Sequence, residues 1–480
     1  MLKKNQPSMT MMSKRWLMVA TACAVAAMAV AQHPTVEELK TVGLPWVEVT
    51  TVGGEEPTCD YLSPPPYATG HGITNATKVP GRLRIFDGGE YVYDSGEYAG
   101  DDGGMTIRIR GNSSAYQAKK PYKVRLKRKA DLLCRGDGET YQDRDWLLMK
   151  EDMDIGGNKL LYMMIGLEVA RLCGVTWEPQ ARFVNLTVNG DYRGVYMLCE
   201  SVKRNPGCRI DVDRETGYIV EFDPYWWNED VYFTTARHGK AYTFKYPDPD
   251  EVTSEQIACI KDVLDRLEDA LWDGTYPSLI DVGSMATWLM AHDILGTYDA
   301  FGSNIFFTKH DGTEDSRLMM GPLWDFDSIF WTEDSWARIH DQSSFYFYYL
   351  LCLAPVRSGP LAGAYLSRWE EAGRYVGWRM TEFLRSFSLS GEAAALQVSN
   401  AWDQARWWHG GPTVDEMVWE AVEWFARREA WMESRVTTLG MGTPAAAAAP
   451  RHRAPAATYD LLGRRVPRNY HGIVIPAKKR

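Results

Sequence analysis

AHDILGTYDAFGSNIFFTKHDGTEDSRLMMGPLWDFDSIFW, residues 291–331, carries two acidic stations separated by a short apolar run and a turn. The first is Asp299, with Asn304 five residues on. Ile305-Phe306-Phe307 then reads as a strand, and His310-Asp311-Gly312 as a hairpin turn. Met319 to Leu323 leads into Trp324-Asp325-Phe326-Asp327, the second station. Carboxylates at the ends of apolar strands are costly to bury without a partner. A hard cation with oxygen ligands is one natural partner, because Mg²⁺ takes few carboxylates and leaves room for phosphate oxygens.

The order has a counterpart in phosphoryl transfer. Protein kinases place a catalytic Asp five positions before a metal-binding Asn, and a second metal-binding Asp follows on the next hairpin. Asp299, Asn304 and Asp325 reproduce that order and spacing. Asp and Asn five apart also occur by chance as loop and cap residues, so the pattern needs the rest of the chain.

The 480 residues suffice for one large or two medium domains, and 45% hydrophobic with 24% charged residues is an ordinary globular balance. Lys3, Lys4, Lys14 and Arg15 precede an apolar run from Trp16 to Val30 that ends in Ala29-Val30-Ala31, the pattern of a cleaved secretory signal. Ala22-Cys23 offers a lipoprotein alternative. No other segment reaches membrane-spanning length. Cleavage moves the net charge from −10 to −14, which argues against nucleic acid as a partner. Seven of the eight cysteines remain, allowing up to three disulfides in an oxidising compartment, with Cys199 and Cys208 the nearest pair. No CxxC or HExxH pattern points to zinc.

Short strands dominate the first half. Val47–Thr51 and Arg82–Phe86 alternate, as do 106–110 and 122–127, the last two separated by the small-residue loop Gly111-Asn112-Ser113-Ser114. Tyr122, Val124 and Leu126 share one face while Lys123, Arg125 and Lys127 share the other. That basic face reads either as a solvated wall or, beside the loop, as a phosphate cradle with a strand Lys. A helix is expected over 158–172, closed by Cys173-Gly174. The strands 184–188 and 192–198 flank Asn189-Gly190, a hairpin signal, with Glu200 just beyond. Further strands fall at 217–222 and 242–246, and helices begin near Thr253 and Val282. A long amphipathic helix is expected over 412–436.

RIRGNSSAYQAKKPYKVRLKRK (108–129), VNGDYRGVYMLCESVKR (188–204), KYPDPDEVTSEQ (245–256) and GPLWDFD (321–327), in this order, resemble the spore coat protein H (CotH) kinase family. The resemblance implies an α+β fold of atypical, protein-kinase-like, two-lobed type, with a β-rich N-terminal and a helix-rich C-terminal part. It also implies transfer of the ATP γ-phosphate to a protein hydroxyl with Mg²⁺. Carried over, Asp299 is the catalytic residue, Asn304, Asp325 and Asp327 face the metal, and Lys120, Lys123 and Glu200 serve the nucleotide. The chain departs from common family residues at Thr297, Gly157 and Trp331. The implied layout is a signal over 1–31, a lead-in over 32–43, the kinase-like domain over 44–440, an Ala/Pro linker over 441–457 and a tail over 458–480. That tail is similar to the C-terminal sorting signals of secreted Bacteroidetes proteins.

Two functions follow. One is an exported kinase, in the periplasm, at the cell surface or outside the cell, acting on an exported protein. The other is a catalytically inactive surface module on the same scaffold that binds a glycan or a protein, using some of the 19 Trp residues to stack on sugars.

Overall fold

The computed structural model describes residues 33–439 except 69, 137, 151–152, 155–156, 301–303, 332, 336–358 and 408–409, together with tail strands at 458–460, 465–466 and 474–476. The signal segment and the linker lie outside the described residues.

After the short helix α1 (Val36–Thr41) come β1 (Trp46–Thr51), a β2–β3 ribbon (Asp60–Leu62, Gly72–Thr74), β4 (Val79–Asp87), β5 (Glu90–Asp94), β6 (Met105–Ile109), β7 (Tyr122–Ala130) and β8 (Asp143–Met149). A two-residue ribbon, β9 (Met153–Asp154) and β10 (Gly157–Asn158), precedes helix α2 (Tyr162–Cys173), and then follow β11 (Ala181–Val188) and β12 (Asp191–Glu200). β1 runs parallel to β11 on one edge and antiparallel to β4 on the other. The sheet β1-β11-β12-β8-β7-β6-β4 therefore closes into a seven-stranded barrel, with β5 hairpinned onto β4. Closure removes the open edges that a flat sheet of this length would expose. The alternation on β7 works as expected, since Tyr122, Val124 and Leu126 point into the barrel with Val47, Leu83, Ile107, Trp146 and Leu186. The Asn189-Gly190 turn has φ of 53° and 79°, the left-handed pair that a two-residue hairpin requires.

The second body is built on the sheet β14-β15-β13-β16-β17, from β13 (Tyr218–Phe222), β14 (Tyr232–Thr234), β15 (Ala241–Tyr246), β16 (Ile305–Lys309) and β17 (Leu318–Met320). Around it lie α3 (Ser254–Asp273), α4 (Val282–Leu295), α5 (Pro360–Glu371), α6 (Val376–Ser388), α7 (Gly391–Trp407) and α8 (Val414–Leu439). Thr253 caps α3 reciprocally with Gln256. α4 is apolar nearly all round, and every residue from Ser284 to Leu295 is buried. Helix α7 is pinned to the barrel by one buried ion pair. Lys119 Nζ donates to Asp403 Oδ1 at 2.6 Å and to the Val195 carbonyl at 2.7 Å. Gly194 makes this possible, because a Cβ there would sit 1.8 Å from Asp403 Oδ1.

The β-rich first part and helix-rich second part of the α+β expectation are observed, but the closed barrel was not foreseen. The tail strands pair only with one another, as a three-stranded antiparallel sheet. Six cysteines among the described residues are free thiols, Cys199 and Cys208 included, so the disulfides that the count allowed do not form there. No helix among the described residues is long and apolar enough to cross a membrane.

Candidate active site

The buried helix α4 ends at Gly296, whose φ of 60° turns the chain out of the core toward Asp299. Thr297 stays buried, its hydroxyl 3.1 Å from His292 Nδ1, and burial pulls that imidazole down to about 3, so it is neutral. The segment after Asp327 runs back along this turn. Tyr298 donates its N–H to the Ser328 carbonyl at 3.0 Å, and the Asp299 N–H reaches Ser328 Oγ at 3.0 Å. Phe330 and Trp331 return bonds to the Leu295 and Gly296 carbonyls at 2.8 and 3.2 Å. Four amides thus lace the two acidic stations together. On the other side, Asn304 opens β16 and its amide donates to Asp325 Oδ2 at 3.0 Å.

Backbone strain concentrates here. Six residues other than glycine have positive φ among the described residues, and three of them are Asn304, Asp325 and Phe330, at 61°, 62° and 63°. An Asn or Asp tolerates this conformation, but a Phe adopts it only where the surroundings enforce it. The turn at Phe330 sends its ring inward against Tyr162, Trp424 and Phe425 and leaves Trp331 58% exposed, tilted against Tyr298.

The carboxylates repel one another. Asp299 and Asp325 are open to solvent yet enclosed by protein, as groups on the floor of a concave site would be. Burial, with Asp327 adding to it, pushes Asp299 up to about 6. Burial pushes Asp325 well above the carboxylate range, helped by Asp327 and Asp299 and opposed by Arg110 and the Asn304 hydrogen bond. Arg110, just past the end of β6, is the cation that the barrel brings to this cluster. Burial pulls its guanidinium down while Asp325 and Glu221 hold it up. Glu221 pairs with Lys245 at 2.6 Å, and register sets Glu221 opposite Phe306, two residues past Asn304. Tyr225 completes the wall. Burial raises its phenol, Asp299 and Asp325 raise it further, and its hydroxyl meets Ser113 Oγ at 2.9 Å. The small-residue loop 111–114 thus touches the site through Tyr225.

Among the described residues, no group of three or more His, Cys, Asp or Glu side chains is arranged to hold a metal ion. Mg²⁺ asks for less, namely one or two carboxylates with water and phosphate supplying the remaining oxygens. Asp325 beside Asn304, crowded by two further carboxylates, is a donor set that fits it.

Asp299, Asn304, Asp325 and Asp327 therefore come together, whereas the three residues expected to serve the nucleotide have other partners. Lys120 Nζ donates to Tyr61 Oη and to the Ala115 carbonyl, both at 2.7 Å. Lys123 lies on the outer wall of the barrel, 3.4 Å from Asp145. Glu200 is fully buried, paired with Arg135 at 2.9 Å and accepting the Gln180 N–H at 3.0 Å. Its surroundings are structural, and among the described residues its ion-pair partner is Arg135 rather than a lysine. The cation that does face the cluster is Arg110, with Lys245 one step behind it through Glu221, and strand alternation alone gave no reason to choose either.

None of the curated proteins compared with the chain matches it. The family described as CotH kinase protein matches residues 107–355, a span that holds Arg110, Lys245, Asp299, Asn304 and Asp325. That match covers just over half of the 480 residues, and the chain belongs to the CotH kinase family.

Proposed function

We propose that the protein is an exported kinase of protein-kinase-like, two-lobed organisation that transfers the γ-phosphoryl group of ATP to a hydroxyl, in the first instance one on an exported protein. The observation that carries this reading is the convergence of Asp299, Asp325 and Asp327 with Asn304, beside Arg110 and the Glu221–Lys245 pair. An excess of carboxylates is unfavourable in the free protein and becomes favourable when a divalent cation and its phosphates arrive. Bound Mg²⁺ would neutralise phosphate charge, with Asn304, Asp325 and Asp327 as the oxygen donors available to it.

The chain's own groups do the rest. Arg110 and Lys245 offer charge to phosphate oxygens, replacing Lys120 and Lys123 in that role. Asp299, with its carboxyl raised to about 6, suits a general base that accepts the proton of the acceptor hydroxyl as the oxygen attacks phosphorus and ADP departs. The basic-then-apolar N-terminus supports export. The test is the melting temperature of the purified protein with ATP and Mg²⁺ together and with each alone. A ligand bound only by the native state at a hundred times its Kd stabilises by about 2.7 kcal/mol. A shift only when both are present is expected, and no shift under any condition would remove the kinase reading.

A further inference from the structure

The basic strand at residues 119–129 is conspicuous in sequence, yet its outward face does not serve the acidic cluster. On that outer wall Lys123 and Arg125 of β7 stand opposite Arg108 and Thr106 of β6, and Arg125 stands opposite Asp145 of β8. Asp145 is 5% exposed and serves three cations at once, Lys123 at 3.4 Å, Arg125 at 3.5 Å and Lys203 at 2.5 Å. Burial would raise its carboxyl, but Lys123 and Lys203 pull it down to about 2, so it remains fully ionised and still cannot balance its neighbours. Asp143 is shared in the same way between Lys203 and the buried Arg209. Lys127 lies over the Tyr98 ring and its carboxylate partner, Asp101, is fully solvent-exposed, while Arg144 has no carboxylate partner among the described residues. A depression of about 420 Å³ is lined by Asp101, Thr106, Arg125, Leu126, Lys127 and Arg144. It carries a positive excess on a chain whose formal net charge is −10.

We propose that this wall of the barrel is a docking surface for an extended acidic polypeptide segment. Lys123, Arg125 and Lys127 project at every second residue, about 6.6 Å apart along the strand. An extended peptide repeats its own side chains at the same interval, so alternate Asp or Glu residues fall into register with the row. β7 is paired on both edges through Arg125, which leaves recognition there to side chains rather than to strand addition. A nucleic acid shares the charge complementarity but not the alternate-residue spacing of side chains on which the register rests. The site is remote in role from phosphoryl transfer and does not require it.

The experiment is fluorescence anisotropy with a short fluorescein-labelled peptide of alternating Glu and Thr, without nucleotide, at low and at high salt. The peptide should bind the full chain, and salt should weaken binding because the contacts are exposed. The triple variant Arg125→Glu, Lys127→Glu, Arg144→Glu should bind at least about tenfold more weakly with an unchanged melting temperature. Arg385→Glu, a reversal of an exposed charge on α6, should leave binding as it was. Equal affinity in the triple variant and the wild type, or no binding by the wild type, would overturn the proposal. Binding of a sulfated polysaccharide with no binding of the peptide would overturn the peptide as occupant.

Discussion

In the proposed reaction the two carboxylates Asp299 and Asp325 of one cluster have different work, and single-atom changes should separate them. Asp325 touches Asn304 and faces Arg110, the side on which metal and phosphates would sit. Asp325→Asn should therefore weaken Mg-ATP binding as well as turnover. Asp299→Asn should leave nucleotide binding nearly intact and lower transfer by roughly 10²–10⁴-fold, the range of a lost acid–base group. Calorimetric nucleotide binding beside a phosphate-transfer assay decides this, and equal loss of binding in both variants would contradict the division. The same Asp299 sets a pH limb. A base with its carboxyl near 6 is protonated below that pH, so kcat/KM should fall about tenfold per unit below pH 6 and level off above it. The stability linkage has the opposite sense. A carboxyl raised from 3.8 to about 6 on folding favours the native state at low pH, and that contribution is lost as pH rises from about 4 through 6. The spacing of Asp299, Asn304 and Asp325 was legible because it is local to one hairpin. Arg110 was not, because its approach to Asp325 depends on how the barrel meets the second body.

Elements decide how firmly those residues are held. Phe326 lies between Asp325 and Asp327, and its ring packs into the notch that Gly166 leaves in α2. A Cβ at 166 would come within 2.0 Å of Phe326 Cδ1. In a solvent-facing helix Gly→Ala gains about 1 kcal/mol, but here the methyl must displace an aromatic ring, and overpacking costs about 1–3 kcal/mol. Gly166→Ala is expected to lower stability in denaturant unfolding and to weaken Mg-ATP binding, because Phe326 cannot move without its two acidic neighbours. Unchanged nucleotide affinity would show that the ring is packing alone. Helix α3 was readable from its Thr253 cap and the apolar residues on one face. Barrel closure was not, because β1 finds β11 across most of the first half of the chain, and alternation names a buried face without naming its partner.

Across the whole molecule, the helices after residue 355 lie beyond the matched family span and yet hold the site in place. Arg428 of α8 is 1% exposed between Trp424 and Trp431. Its Nε donates to the Asp293 carbonyl near the end of α4 at 2.7 Å, and its Nη1 donates to the carbonyls of Glu333 and Ser335 at 3.1 and 2.5 Å. One guanidinium therefore spans both strands of the lacework that joins Asp299 to Asp325, and Tyr365 of α5 secures Asp293 from the other side through Oδ2 at 2.9 Å. Arg428→Met keeps length and removes every donor, leaving buried carbonyls unmatched, which should cost roughly 2–4 kcal/mol. Lost packing would produce a similar global number, so the deciding measurement is local. Hydrogen exchange should accelerate at the Tyr298, Asp299, Phe330 and Trp331 amides, the four that cross between the stations, more than at amides of the barrel strands. Uniform acceleration across the molecule would make Arg428 a general core residue. A selective effect would show that the C-terminal helices set the spacing of the carboxylates on which the proposed chemistry depends.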